Sequence, residues 1–368
     1  MDHEGRTDRP TTPERLIGAG REAARGLAVR SRSASRRAVA AVIAVPGVVE
    51  LLERLARTRP GQLTVLTYHR VDRPEREPDL DPSLLSATPE GFADQVAHLC
   101  RAFHLVSAQE LLAVRAGDAA LPPRSVMITF DDAYEDFETH AWPVLRRHGA
   151  PVTLFVPTAF PDSGGPGFWW DRLYRAFRHT SRVEPLPTSA GPLSLDDADQ
   201  RRRSAVRLRD RLKAAGHAEA MDELATVLAT LDVSEAASRV LGWERLRALA
   251  ADGVTLAPHS RTHPLLNRLP ADRMVDEVAG SLADIEREVG DTPPVFAYPA
   301  GGYSPGVVAA LADAGFEIAF TTDRGTNDVR TCRWLEMARR NVGVRSGTRV
   351  LRAQLAVGDL RPRRTATA

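Results

Sequence analysis

The chain has 368 residues, a formal net charge of +1 and a sequence pI near 7.9. That length supports one domain of about 250–300 residues plus appendages, and the balanced charge gives no general reason to expect nucleic acid as a partner. Cys100 and Cys332 match no metal-ligand spacing, which excludes a disulfide scaffold and leaves either two thiols or one bridge.

Residues 1–60 stand apart in composition. Arg15, Arg21, Arg25, Arg30, Arg32, Arg36 and Arg37 are opposed within their span only by Glu22, and an apolar run over 38–49 follows. This reads as a basic N-terminal arm, partly disordered or helical, with a helix packed on the body. A basic amphipathic stretch also suits peripheral contact with an anionic membrane surface, and the basic-then-apolar order is shared with late signal sequences. The apolar run is too short to span a bilayer and is broken by Pro46 and Gly47, so no transmembrane helix is predicted. Without a clean export signal, the expected location is the cytoplasm, with membrane association or export as alternatives.

The body runs over 61–350, with a tail over 351–368. It begins with the apolar strand LTVLTYHRV, which ends at Tyr68 and His69. Residues 92–99 and 108–114 read as short amphipathic helices around the strand FHLVS, and Pro122 and Pro123 punctuate the entry to MITFDD. There Val126, Ile128 and Phe130 alternate with Met127 and Thr129 and lead into two adjacent carboxylates, Asp131 and Asp132. A buried strand opening on a site has this pattern. Either acid could instead cap a helix over AYEDFETHAWPVLRRHG, because Asp is a preferred N-cap. The strand VTLFV at 152–156 then completes a βαβ unit.

Alternation stops between 161 and 241, which reads as a helical insertion. Trp170, Tyr174 and Phe177 fall at helical spacing and are expected in a core, leaving Trp169 as a candidate substrate wall; Tyr303 is a second. Helices and strands then alternate again through WERLRALAADG, VTLAPHS, ADRMVDEVAGSLADIEREVG, PVFAYP, PGVVAALADAG and FEIAFTT. Such spacing predicts an α/β fold with a parallel sheet, whose ligands bind at the carboxyl ends of the strands.

His259 and His263 follow the strand VTLA directly. If that segment is helical or tightly turned, both imidazoles can face one ion. One carboxylate and two imidazoles form a three-ligand set for a divalent metal, and a second Asp beside it can take a proton from water.

TFDD at 129–132 followed by HSRTH at 259–263 resembles the first two motifs of the polysaccharide deacetylase family, carbohydrate esterase family four, over residues 62–345. The resemblance implies a distorted (β/α) barrel in which Asp131 is the catalytic base and Asp132, His259 and His263 hold the metal. It implies zinc first, with cobalt, nickel, iron or manganese as alternatives, and an N-acetylated glycan as substrate. The family's third motif corresponds to FAYPAGGYS, with Ala297 at the expected Arg and Ala300 at the expected aromatic. Ala300 can still offer its backbone N–H to an oxyanion; in place of the lost Arg, which orients the base in the family, either Arg339 or Arg340 supplies the contact from another strand or Asp131 is held differently. No histidine follows His263. Permuted exopolysaccharide deacetylases take their catalytic histidine from an N-terminal strand, and LTYHRV resembles that arrangement with His69 as the acid. The expected activity is hydrolysis of N-acetyl groups on a polysaccharide or glycoconjugate. The alternatives are a catalytically impaired glycan-binding protein and a metal-dependent amidase on a small metabolite.

Overall fold

The computed structural model describes residues 45–55, 59–344 and 346–360; most of the predicted arm over 1–60, namely 1–44 and 56–58, and the end of the predicted tail, 361–368, lie outside the described residues. The strands are β1 (Gln62–Tyr68), β2 (Arg70–Val71), β3 (Leu85–Ala87), β4 (His104–Leu105), β5 (Ser125–Asp131), β6 (Thr153–Val156), β7 (Thr255–Pro258), β8 (Val295–Ala297), β9 (Ile318–Arg324), β10 (Asn327–Asp328) and β11 (Met337–Asn341). Seven of them run parallel in the order β7-β6-β5-β1-β11-β9-β8. Side chains link the two ends of this path. Thr292 Oγ1 donates to Leu256 O at 2.7 Å, and His259 Nδ1 lies 2.7 Å from Ala297 O. The sheet is therefore a nearly closed α/β barrel, as expected.

Register decides what faces inward. β1 pairs with β5 residue for residue from Leu63 opposite Ser125 to Tyr68 opposite Phe130, and with β11 at Thr67 opposite Asn341. Val65, Met127, Phe155, Ala297, Phe320 and Met337 fill the barrel interior. Leu66, Tyr68, Ile128 and Phe130 point the other way, against Phe92, Val96 and Leu99 of the helix Pro89–Ala102. Because both faces are covered, the strands are apolar throughout rather than alternating. Toward the carboxyl ends the inward positions become polar: Thr67, His69, Asp131, Arg339 and Asn341 all line one cavity.

Between β6 and β7 the insertion forms the helices Trp169–His179, Ala198–Ala214 and His217–Leu231. Ala205, Leu208 and Leu212 recur at helical spacing and meet Leu224 and Val227 in a core separate from that of the barrel. The first and last described helices pack together, with Val49 against Ala353 and Arg352 paired with Glu53 at 2.6 Å. The predicted tail thus begins as part of the helix Thr348–Leu360, whose Leu351 and Leu355 enter the main core. Among the described residues, no helix is long and apolar enough to cross a membrane.

One local expectation is corrected. The segment after the Asp pair is not a continuous α-helix but a π-helical turn, Phe137–Ala141, followed by the helix Trp142–Arg147. Pro143 lacks the N–H that a continuous α-helix would donate to the Thr139 carbonyl, so the wider turn accommodates it. Neither Asp131 nor Asp132 caps a helix here, since Asp131 ends β5, Asp132 lies in the turn after it, and helical winding starts only at Glu135.

Candidate active site

Asp131 is the last residue of β5 and is buried, as is Asp132 beyond it. Arg339, two strands away on β11, reaches across β1 and makes two parallel hydrogen bonds, Nη1 to Asp131 Oδ1 and Nη2 to Oδ2, each 2.8 Å. Its Nε donates to Thr321 O at 2.9 Å, which fixes the fork. Neighbouring strands lie about 4.8 Å apart, so only a long side chain spans this gap, and the short Thr67 on β1 leaves it room. Arg340 does not serve as an alternative. Side chains alternate along β11, and Arg340 turns outward to Thr326 Oγ1 at 3.2 Å and Gln354 O at 3.4 Å. Burial pushes the Asp131 pKa up, but Arg339 first, then His259 and His69, more than offset this and hold the carboxyl below its ordinary range.

His259 Nδ1 lies 2.7 Å from the Ala297 carbonyl. A carbonyl only accepts, so Nδ1 carries the proton and Nε2 presents a lone pair. Burial lowers the pKa of His259 to about 4, keeping the ring neutral near pH 7. Ala297, where the resemblance leads one to expect an Arg, thus contributes its main chain to the site.

The HSRTH segment is a tight turn rather than a helix. Ser260 and His263 adopt left-handed φ values of 60° and 59°, and Ser260 Oγ accepts from His263 N at 3.1 Å. Glu277 on the helix Ala271–Val289 secures the turn from below, accepting from the main-chain N–H groups of Arg261 and Thr262, both at 2.8 Å. Sequence reasoning missed this residue, although a Glu among the apolar positions of an amphipathic helix is a signal of such a role. The two imidazole centroids are 4.8 Å apart.

Asp132, His259 and His263 bring their ligand atoms within 4.8 Å of one another. His263 Nε2 is 3.2 Å and His259 Nε2 3.7 Å from Asp132 Oδ1, yet that oxygen, fully buried, has no hydrogen bond of acceptable geometry among the described residues. Burial opposes the charge on Asp132, but the histidines, His263 foremost, hold its pKa well below the ordinary range. An anionic oxygen without a donor, facing two imidazole nitrogens, fits a divalent ion.

The backbone is unusual at the same place. Of eight described non-glycine residues with positive φ, Asp132, Ala133, Ser260, His263 and Ala300 belong to the site's loops. Such conformations persist only where surroundings impose them, and they gather at functional sites. Ala300, at φ 48°, lines the cavity, and the next residue must be glycine: a Cβ on Gly301 would lie 2.0 Å from Thr322 Oγ1.

His69 lines this cavity of about 540 Å³ together with both acids, half-buried, its main-chain N–H donating to Ser86 Oγ at 2.9 Å. The position follows from β1 lying between the Asp strand and the Arg strand. Asp72 is not part of the site; it faces Arg70 and His140 elsewhere. Trp169 lines the cavity, half-buried. Trp170 is buried as expected of a core residue, yet it is also a wall: its ring lies 4.7 Å from that of His263, and its Nε1 donates to Tyr134 Oη at 3.0 Å. Tyr134 in turn donates to the buried Asp171 at 2.6 Å. Tyr303 lies outside the lining, because its hydroxyl is tied to Asp323 at 2.9 Å and its ring packs on Tyr298. Cys100 and Cys332 are free thiols, each packed against a different hydrophobic cluster.

A nearly closed parallel barrel thus carries, at the carboxyl ends of its strands, a buried Asp-His-His cluster consistent with a divalent metal site. The sequence pattern of the polysaccharide deacetylase family matches residues 118–319, more than half of the chain, and the protein belongs to that family. Among solved structures, the deacetylase PplD of Streptococcus pyogenes, in complex with acetate, aligns with a TM-score of 0.54 at 17% identity, covering 83% of this chain and 100% of that one. BC0361, a polysaccharide deacetylase from Bacillus cereus, gives 0.52 at 15% identity over 80% of this chain and 69% of that one. The BpsB deacetylase domain of Bordetella bronchiseptica gives 0.50 at 18% identity over 77% and 96%. At these identities the likeness is one of fold. No curated protein matches the chain in sequence.

Proposed function

We propose that the protein removes N-acetyl groups from a polysaccharide or glycoconjugate, releasing acetate and leaving a free amine. The observation that carries this reading is the buried Asp131–Arg339 pair beside the Asp132, His259 and His263 cluster, with His69 on the same cavity. Asp132, His259 and His263 are the ligands in this reading. A divalent ion held there, with zinc our choice from the nitrogen and oxygen donors, would supply Lewis-acid chemistry, lowering the pKa of water and polarising a carbonyl.

Asp131, ionised and held by Arg339, accepts a proton from the attacking water. The oxygen of that water forms a bond to the acetyl carbon, and the carbonyl oxygen gains charge that the Ala300 N–H receives. His69 gives a proton to the amide nitrogen as the C–N bond breaks, so the amine departs neutral and acetate remains. The impaired glycan-binding alternative rested on the missing motif Arg and the missing late histidine. Arg339 on Asp131 and His69 on the cavity both argue against it. The test is acetate release by the metal-loaded full chain from N-acetylated glycan oligomers; no release from any of them contradicts the reading.

A further inference from the structure

The insertion and the loop that follows β7 bring positive charge to the cavity. Arg172, Arg209, Lys213 and Arg268 line it, while the lining acids are Asp81, Asp131 and Asp132. Each of those acids is already engaged: Asp131 with Arg339, Asp132 with the two histidines, and Asp81 with Arg209 at 2.7 Å. Arg172 is paired with Glu235 at 2.6 Å. Lys213 and Arg268 are left over, making no side-chain hydrogen bond or ion pair with a described residue. Lys213 is also the only lysine in a chain with 49 basic Lys and Arg residues. Desolvation at the cavity wall first, and then Arg209, push its pKa below the ordinary value, while the carboxylates of Asp81 and Asp210, and least of all Asp132, act in the opposite direction. Two unpaired cations on a concave wall create a positive potential that a neutral sugar leaves unused.

We propose that Lys213 and Arg268 receive an anionic group of the substrate, a carboxylate or a phosphate ester borne by the acetylated sugar or its neighbour, so that the preferred glycan is acidic. The half-buried Trp169 on the same cavity offers the adjoining sugar ring an apolar face. This inference rests on the deacetylase reading for the chemistry but is tested separately, by binding.

The experiment titrates the metal-loaded full chain with N-acetylglucosamine, N-acetylglucosaminuronic acid and N-acetylglucosamine 1-phosphate by calorimetry, at two salt concentrations. At least one anionic sugar is expected to bind more tightly than the neutral one, with a preference that weakens in salt. Lys213→Gln and Arg268→Gln are each expected to reduce that preference by roughly fivefold, the worth of one partly exposed ion pair, and Lys213→Arg is expected to restore it. Comparison of the two anionic arms tells carboxylate from phosphate. Equal binding of all three sugars, or a preference unchanged in both Gln variants, overturns the proposal. Wild-type protein supplies an independent reading, because acylation by an amine-selective reagent can modify no side-chain amine but that of Lys213. Its rate, followed by mass spectrometry, should fall with the anionic sugar and not with the neutral one; equal rates contradict the proposal. Absence of acetate release from every sugar would overturn the deacetylase reading, while the binding comparison would still judge this one.

Discussion

Arg339 on β11 and Asp131 on β5 form a buried two-pronged ion pair across the strand between them, at 2.8 Å on both prongs. Removing one member leaves the other charged, buried and unpaired. Arg339→Met should therefore cost about 3–5 kcal/mol of stability, measured by urea unfolding, and acetate release should fall with it. The double variant Arg339→Met with Asp131→Leu should regain most of the lost stability while remaining inactive. If the double variant is no more stable than the single one, the pair is not what strains the first.

Glu277 holds the turn between the two histidines through the N–H groups of Arg261 and Thr262. Glu277→Gln, which keeps one acceptor oxygen, should weaken zinc affinity by about 10- to 100-fold, as loss of outer support for ligands does, with the fold intact by circular dichroism. Competition with a chromogenic chelator measures it, and unchanged affinity would remove Glu277 from the account.

His69 is assigned to protonation of the departing amine. His69→Gln should lower the rate on N-acetyl sugars by roughly 10²–10⁴-fold. On an aryl acetate ester, whose leaving group departs without a proton, the loss should be much smaller. Equal losses on both substrates would point to a positioning role instead.

Asp171, tied to Tyr134 beneath Trp170, has its pKa raised by burial to about 7. Its folded pKa lies above the unfolded value near 4, so the stabilisation is complete below about pH 4 and is lost as pH rises to about 7. Asp171→Asn should remove this slope, a difference of a few kcal/mol at most between the two ends of the window. Unfolding midpoints of both proteins across that range provide the check, and parallel curves would contradict the assignment.

Much of the site is legible in the sequence because strands deliver it. Asp131 and Asp132 end an apolar run, and His259 and His263 follow another, so local pattern and chain order suffice to pair them. His69 was legible only through resemblance, since nothing local shows that β1 sits between β5 and β11. The choice between Arg339 and Arg340 depended on strand phase, and a shift of one residue exchanges inside for outside. Trp170 illustrates another limit: helical spacing assigned it to a core correctly, but one side of that core is the ring of His263. Tyr303 failed as a wall because its partner, Asp323, lies on a different element, β9.

The most direct test of the central claim is acetate release by zinc-loaded protein from an N-acetylated glycan oligomer, compared with Asp131→Asn prepared with the same metal content. The account predicts release by the wild type and a rate lower by roughly 10²–10⁴-fold in the variant. Wild-type rates in Asp131→Asn would contradict the assignment of the base.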